Sequence, residues 1–406
     1  MTSREFAIQV VKQLQAAGYQ ALWAGGCVRD QMIGKTPKDY DVATNATPEQ
    51  VRDVFGHKKT LAIGAAFGVI TVMGPKSAEP IEVATFRRDT GYSDGRRPDA
   101  IEFTDAREDA IRRDFTINGM FFDPIKEQVL DYVGGQEDLA ARQIRAIGSP
   151  HERIDEDKLR MLRGVRFAST FGFELESETL AAIQQHAHEI DVVSGERIGA
   201  EMRRMLGGPN RAIVARLMRE SGLLAQVLPD GQTLYADEGQ WSDTINRLNR
   251  LSANNFVCSA VVLLEPIVAM HGIEVIFQRW KLSSDERKSI DWICKNWRTL
   301  EQADELSWSQ VQPILLKDDS AGALDVAQAN HSGKSNGVEF CRKRLTWESE
   351  KLNPKPLLDG AALIKMGVQP GPQFKMILNA VRAGQLDGEI NSVEAAVEHA
   401  NRLVQG

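Results

Sequence analysis

Gly25-Gly26-Cys27-Val28-Arg29-Asp30, followed by Asp39-Tyr40-Asp41-Val42-Ala43-Thr44, is the stretch on which the reading of this chain turns. Two adjacent glycines let the backbone come close to an anion and point its N–H groups at it. Arg29 adds a fixed positive charge behind them. The run from Asp39 to Thr44 reads as a strand, so Asp39 and Asp41, two residues apart, leave the same face. Paired carboxylates on one face suit a hard cation such as Mg²⁺, which is usually held by one or two carboxylates together with phosphate oxygens. The stretch therefore reads as a site for a phosphorylated molecule and a metal ion.

Outward from this stretch, 406 residues exceed one ordinary core, and two to four domains are expected. With 42% hydrophobic and 26% charged residues, the chain has the balance of a globular protein. It contains no apolar run of bilayer length and no signal-peptide core, so no membrane association and a cytoplasmic location are expected. Cys27, Cys258, Cys294 and Cys341 lack the close pairing of a zinc site and are expected as buried thiols. A net charge of −7 argues against indiscriminate binding to nucleic acid. Local basic clusters nevertheless occur at Arg87-Arg88, Arg96-Arg97, Arg112-Arg113, Arg160/Arg163/Arg166 and Arg203-Arg204.

Ser3 to Ala17 has Phe6, Val10, Val11 and Leu14 at helical spacing, with Gly18 as the stop. Tyr19 to Ala24 is a short strand leading into the glycine pair, and Cys27 to Ile33 a brief helix. Thr47-Pro48-Glu49-Gln50 is a capping box with proline at the first helical position. Leu61 to Ile63, Gly68 to Met73, Ile81 to Arg87 and Ile101 to Phe103 read as strands, which predicts a small mixed sheet of about four or five strands with flanking helices. Arg88 to Pro98, with Gly91 and Gly95, is expected as a loop near the site. Asp105 to Arg113 is helical, and Gln143 to Ile147 is the last strand-like run. Beyond Asp155 helical periods dominate, which sets a boundary at Gly148-Ser149-Pro150 between an α/β head and an all-α remainder. His186 and His188, two apart on a helix, are expected on the surface.

A second constellation lies in the run Asp155 to Phe167, read as one helix. Leu159, Met161, Leu162 and Val165 form its apolar half; Asp157, Arg160 and Arg163 lie on the other, with Arg166 at the margin. By itself this pattern also fits a surface helix with ion pairs such as Glu156–Arg160. Together, however, Gly25-Gly26-x-Val28-Arg29-Asp30, Asp39-x-Asp41, Arg112-Arg113-Asp114-Phe115-Thr116-Ile117-Asn118 and Glu156-Asp157-x-x-Arg160 resemble, in order and spacing, the motifs of the class II CCA-adding tRNA nucleotidyltransferases and bacterial poly(A) polymerases. The resemblance covers about residues 20 to 205.

It implies a polymerase-beta-like nucleotidyltransferase head at residues 1–150, then a helical neck at 151–210, body at 211–350 and tail at 351–406. Asp39 and Asp41 would be catalytic and hold Mg²⁺. Gly25, Gly26 and Arg29 would contact the triphosphate, and Arg113 and Asp114 the sugar and phosphates. Asp157 and Arg160 would contact the base, with Arg163 and Arg166 on the same nucleotide-binding helix. Glu82 is the candidate for a third carboxylate, a solvent-facing strand glutamate being the alternative. The partners implied are ATP, CTP and tRNA, the tail from Leu357 to Ile390 gripping the elbow side. The loop from Arg88 to Pro98 would couple to the change from C to A addition. Poly(A) polymerases and enzymes adding only the terminal A share these motifs; the shortness of the chain and its tail favour CCA addition.

The base assignment has a chemical reason. Cytosine and adenine both present an amino donor beside a ring-nitrogen acceptor. A carboxylate accepts from the first and a guanidinium donates to the second. Uracil and guanine present a carbonyl and a ring N–H instead and leave both side chains facing the wrong group.

Overall fold

The structure, a computed structural model, describes residues 1–91 and 100–405. Most of the expected loop from Arg88 to Pro98, with its Gly95, lies outside the described residues. The chain forms two compact units: residues 1–205 with 213–228, and residues 206–212 with 229–406.

In the first unit, α1 (Ser3–Ala16) starts at a Thr2/Glu5 capping box and buries Phe6, Val10, Val11 and Leu14, as their spacing requires. β1 (Ala21–Ala24) runs into α2 (Gly26–Met32), then β2 (Val42–Thr44), and α3 (Pro48–Phe55) follows with Thr47 and Gln50 closing the expected capping box. β3 (Thr60–Leu61), β4 (Val69–Val72) and β5 (Ile81–Thr85) come next. β6 (Arg87–Thr90) and β7 (Ala100–Phe103) pair with each other as a separate antiparallel ribbon, so Arg88 is in a strand and not in a loop. After α4 (Ala106–Ile111) come β8 (Phe121–Asp123) and β9 (Gln128–Leu130).

Among the described residues the main sheet has seven strands in the order β3-β4-β5-β2-β1-β8-β9. That is more than the four or five expected, because β8 and β9 are only three residues each and carry no long alternation. β2 and β5 form the one parallel pair in it, Val42 opposite Val83; the other pairs are antiparallel. All four residues of β1 and all three of β2 are buried, which identifies the sheet centre. Leu22, Ala24 and Ala43 pack with Ala106 and Ala110 of α4 on one face. Trp23 points the other way, with Arg4 of α1 over its ring at 5.6 Å. The sheet is thus a middle layer between helices, and the strand ends at Ala24 and Val42 deliver the glycine turn and the aspartates side by side.

Beyond α5 (Gly135–Ala141), β10 (Gln143–Ile144) pairs in parallel with β11 (Glu174–Leu175), a strand too short to be seen in the sequence. Between them, the helix expected from Asp155 to Phe167 is broken. α6 (Pro150–Glu156) ends, Asp157 is extended at φ −152°, and α7 (Leu159–Phe171) begins. α8 (Ser177–His186) and α9 (Gly195–Leu206) follow.

The second unit is helical throughout its described residues. Its central helix, Phe256–His271, is buried continuously from Cys258 to Glu265, and Glu265 is matched there by Arg247 Nη1 at 2.8 Å and Trp297 Nε1 at 3.1 Å. A separate cluster of Leu358, Leu363, Val368, Ile377, Val381 and Ile390 forms the core of the C-terminal segment. Among the described residues no helix is long and apolar enough to cross a membrane. Cys27, Cys258 and Cys341 are buried thiols, and Cys294 is half-buried.

Candidate active site

Where β1 ends, Gly25 turns the chain with φ +68°, a conformation that favours glycine, and its N–H donates to Met120 O at 3.1 Å. A Cβ at this position would lie 2.9 Å from Arg113 Nη1. Glycine is therefore needed twice over, for the backbone and for the arginine that crosses it. Arg29, in α2, is buried. It donates through Nε and Nη2 to Asp30 Oδ1 at 2.9 and 2.7 Å and through Nη1 to Asn118 Oδ1 at 2.6 Å. Its guanidinium also stacks on Phe171 and Phe167 of α7, 4.6 and 5.4 Å from the ring centres. The glycine turn is thereby tied to a helix far along the sequence.

Asp39 and Asp41 precede β2 and are not part of it, in contrast to the strand expected from Asp39. The expected alternation still holds: Asp39 and Asp41 are exposed, and Tyr40 between them is buried against Trp23 with ring centres 4.7 Å apart. Tyr40 is the anchor that turns both carboxylates to one side. Although Asp41 faces the open cleft, protein crowds its base. That desolvation, followed by the charges of Asp39 and Glu82, raises its pKa to about 6. Glu82 is exposed on β5, next to Val83, which pairs with Val42. Asp39 and Asp41 both line this cleft, and a divalent cation there would relieve the negative charge that bears on Asp41, so this carboxylate pair fits such an ion. Cys27 offers no competing chemistry, since burial pushes its thiol up to about 12.

The second group of side chains hangs on Asp109, an α4 residue the sequence reading passed over. It is 2% exposed and holds Arg112 through Oδ1 at 2.7 Å and Arg113 through Oδ2 at 2.9 Å. Burial works against its charge, but the two guanidinium groups outweigh it and keep its pKa below the ordinary range. The three- and four-residue spacing from Asp109 to the two arginines was the available signal. Asp114 is likewise buried, accepting from Arg163 Nε at 2.8 Å, Asn118 Nδ2 at 3.0 Å and the Phe115 N–H at 2.8 Å. Burial would raise its pKa; Arg163 and these hydrogen bonds reverse the effect and hold it at about 2.

Because the folded pKa of Asp114 lies below the ordinary value of 3.8, the stabilisation it provides is complete above about pH 4 and is lost as pH falls toward 2. Asp114→Asn is expected to unfold more easily than the parent at pH 7 by on the order of 2 kcal/mol. The gap should close as pH falls to 2. Urea midpoints of the two proteins at pH 7, 4 and 2 measure it; a gap that stays constant would contradict the ionised, paired Asp114.

The Asp157 carboxylate is oriented by the Leu159 N–H at 3.0 Å and by Arg197 Nη2 of α9 at 2.7 Å. Arg197 carried no mark in the sequence. Arg160 Nη1 pairs with Glu156 and donates to Arg153 O at 2.8 Å, while Nη2 donates to Arg112 O at 3.3 Å. The Glu156–Arg160 pair expected of a surface helix is thus present, but Arg160 is largely buried and lines the cleft.

A single open cleft of about 540 Å³ is lined by Gly25, Gly26, Arg29, Asp39, Asp41, Arg113, Asp114, Asp157, Arg160 and Arg163. Arg112, Asn118, Leu159, Phe167 and Arg197 complete it. Of the residues selected from sequence, the third-carboxylate candidate Glu82 is absent from the lining, and so is Arg166. Its Nε donates to Glu201 Oε2 at 2.6 Å and its guanidinium lies 4.0 Å from the Phe167 ring centre, so it fastens α7 to α9.

Comparison with known proteins places this arrangement among relatives. Residues 21–145 match the family described as the Poly A polymerase head domain, and residues 172–234 the one described as a probable RNA and SrmB-binding site of polymerase A. The chain is 32% identical over 400 residues to the CCA-adding enzyme of Lacticaseibacillus paracasei, covering 95% of this chain and 94% of the relative. It is similar to the crystal structure of the Bacillus stearothermophilus CCA-adding enzyme in complex with CTP, with a TM-score of 0.80, 27% identity, and coverage of 99% and 98% of the two chains. The fold is also that of the Thermotoga maritima CCA-adding enzyme complexed with tRNA, with a TM-score of 0.70 at 22% identity over 98% of this chain and 95% of that one.

Proposed function

Since the chain belongs to the CCA-adding enzymes, nucleotidyltransferases with a poly(A) polymerase head domain, we propose that its cleft adds C, C and A from CTP and ATP to the 3′ end of tRNA without a nucleic-acid template. The observation that carries this reading is one cleft lined by both the carboxylate pair Asp39/Asp41 and the amino-acid pair Asp157/Arg160.

The tRNA 3′-oxygen attacks the α-phosphorus in line. The new O–P bond forms, the bond to the bridging oxygen of the β-phosphate breaks, pyrophosphate leaves, and the hydroxyl proton passes to solvent. Asp39 and Asp41 are assigned to hold divalent metal, for which Mg²⁺ is proposed; bound metal supplies activation of the attacking hydroxyl and charge neutralisation on the leaving group. The glycine turn gives the triphosphate room against the backbone, and Arg29 and Arg113 supply positive charge there. Asp114 acts through Arg163, aligning its guanidinium toward the sugar and phosphates. Asp157 and Arg160 read the base. Each Asp157 oxygen accepts one bond within the protein and keeps a lone pair for a base amino group, and Arg160 keeps Nε–H for a ring nitrogen.

The proposed organisation along the chain is head, neck, body and tail at residues 1–150, 151–210, 211–350 and 351–406, the tail meeting the tRNA elbow, and the proposed location is the cytoplasm. The test uses tRNA transcripts ending at the discriminator base, after one added C and after two, beside an unstructured RNA. Sequenced products should show completion to CCA and then a stop. Long A tails, or extension of the unstructured RNA, would overturn the assignment in favour of a poly(A) polymerase.

A further inference from the structure

Asp157 sits at a break between two helices, and a break needs something to fix its angle. The residue that follows it, Lys158, occupies the N-cap position of α7 in helical conformation and makes no cap hydrogen bond with its side chain. That side chain is instead turned inward and only 12% exposed. A lysine is rarely buried without partners. Here Nζ lies 2.6 Å from Asp155 Oδ1, in the last turn of α6, and also pairs with Glu189, in the short turn of helix Ala187–Val192. Burial opposes the ammonium charge, and the two carboxylates outweigh it, so the Lys158 pKa stands above its ordinary value.

The tie continues. Glu189 Oε1 lies 2.7 Å from His186 Nδ1, and His186 Nε2 shares a hydrogen bond of 3.0 Å with His151 Nδ1, in the first turn of α6. His186, expected on the surface, is therefore largely buried, whereas His188 is exposed. The chain of contacts runs from the start of α7, across Glu189 and the end of α8, and back to the start of α6. It closes a ring around the break. Asp155, His186 and Glu189 lie within 4.8 Å of one another, as metal ligands would, yet the cation between the two carboxylates is the Lys158 ammonium itself.

We propose that Lys158 is a positioning residue for base selection: by fastening the start of α7 to Glu189 and Asp155 it sets the angle of the break and hence the place where the Asp157 carboxylate meets the incoming base. Successive residues at the break point to opposite sides, Asp157 into the cleft and Lys158 into the ring. A carboxylate that must meet an amino group within hydrogen-bond tolerance is sensitive to shifts well under 1 Å. The proposal rests on the reading of Asp157 as the acceptor for the base.

The experiment uses the full chain with tRNA ending at the discriminator base, and compares Lys158→Met, Lys158→Arg, Glu189→Gln and Asp157→Ala. It measures kcat and KM for CTP, incorporation of UMP in competition with CMP, and thermal unfolding. For Lys158→Met, KM for CTP should rise and discrimination against UTP fall, each about 10-fold, with kcat changed about 2-fold or less, as expected for misplacement without loss of the reacting groups. Lys158→Arg should restore both values, and Glu189→Gln should reproduce the loss in weaker form.

If Asp157→Ala loses discrimination while Lys158→Met keeps it, the positioning role is overturned and the Asp157 reading stands. If Asp157→Ala itself discriminates normally, that reading fails and the proposal falls with it. A parallel loss of kcat and melting temperature with discrimination intact shows a structural role only and also overturns it. Should Lys158→Met fail to fold, unchanged discrimination in Glu189→Gln decides against the proposal.

Discussion

Asp39→Ala and Asp41→Ala are each expected to reduce nucleotide incorporation by about 10³-fold or more while tRNA binding is retained. Metal-held charge stabilisation is worth several kcal/mol in the transition state, and each 1.36 kcal/mol is about one decade in rate. The two side chains leave the same side of the chain because Tyr40 is fixed against Trp23, so neither replaces the other. Both are exposed acidic groups that hold no part of the core, and their removal takes negative charge away from a surface that meets RNA. Single-turnover incorporation of labelled CMP, read beside a gel-shift measurement of tRNA affinity, separates the two effects. Normal turnover by either variant in Mg²⁺, or a loss of tRNA binding that accounts for the whole defect, would refute the assignment.

Asp157→Ala and Arg160→Ala should remove the preference for CTP and ATP over UTP and GTP. Sites that leave buried polar groups unpaired with the wrong partner typically reject it by roughly 10⁴-fold, and each substitution deletes half of that pattern. The two variants should differ in a diagnostic way. Loss of Asp157 also frees Arg197, an added donor able to meet the carbonyl of uracil or guanine. Loss of Arg160 releases Glu156 Oε2 as an added acceptor, while Glu156 Oε1 stays with Arg153 Nη2 at 2.7 Å. Asp157→Ala is thus expected to favour misincorporation actively, and Arg160→Ala to lower incorporation of all four nucleotides. Competition assays with paired nucleotides and sequenced products give both ratios; unchanged discrimination would reduce α7 to a structural helix.

The parts of the site that were legible from sequence are those whose chemistry is local. The glycine turn, the alternation around Tyr40 and the capping box at Thr47 depend on neighbours within a few positions. Their geometry follows from residue type alone. Asp109 was hidden because an acidic residue in the first turn of a short helix looks like a solvated cap; only the approach of β6 and the two following arginines buries it. β8, β9 and β11 were missed because strands of two or three residues lie below the length at which alternation can be counted. The break at Asp157 left no trace, since the run from Asp155 to Phe167 has helical periodicity and no proline. Arg197 from one side and Glu189 from the other turn the chain there, and both are contacts made in three dimensions.

The stacking of Arg29 on Phe171 and Phe167 makes the pocket a measuring device. One jaw is the glycine turn and the other is the head of α7, with the helix between them serving as a rigid spacer. Such a caliper gauges the span from phosphate to base edge. The break between α6 and α7 lies at the jaw that touches the base, and the tie from Lys158 to Asp155 and Glu189 holds its setting.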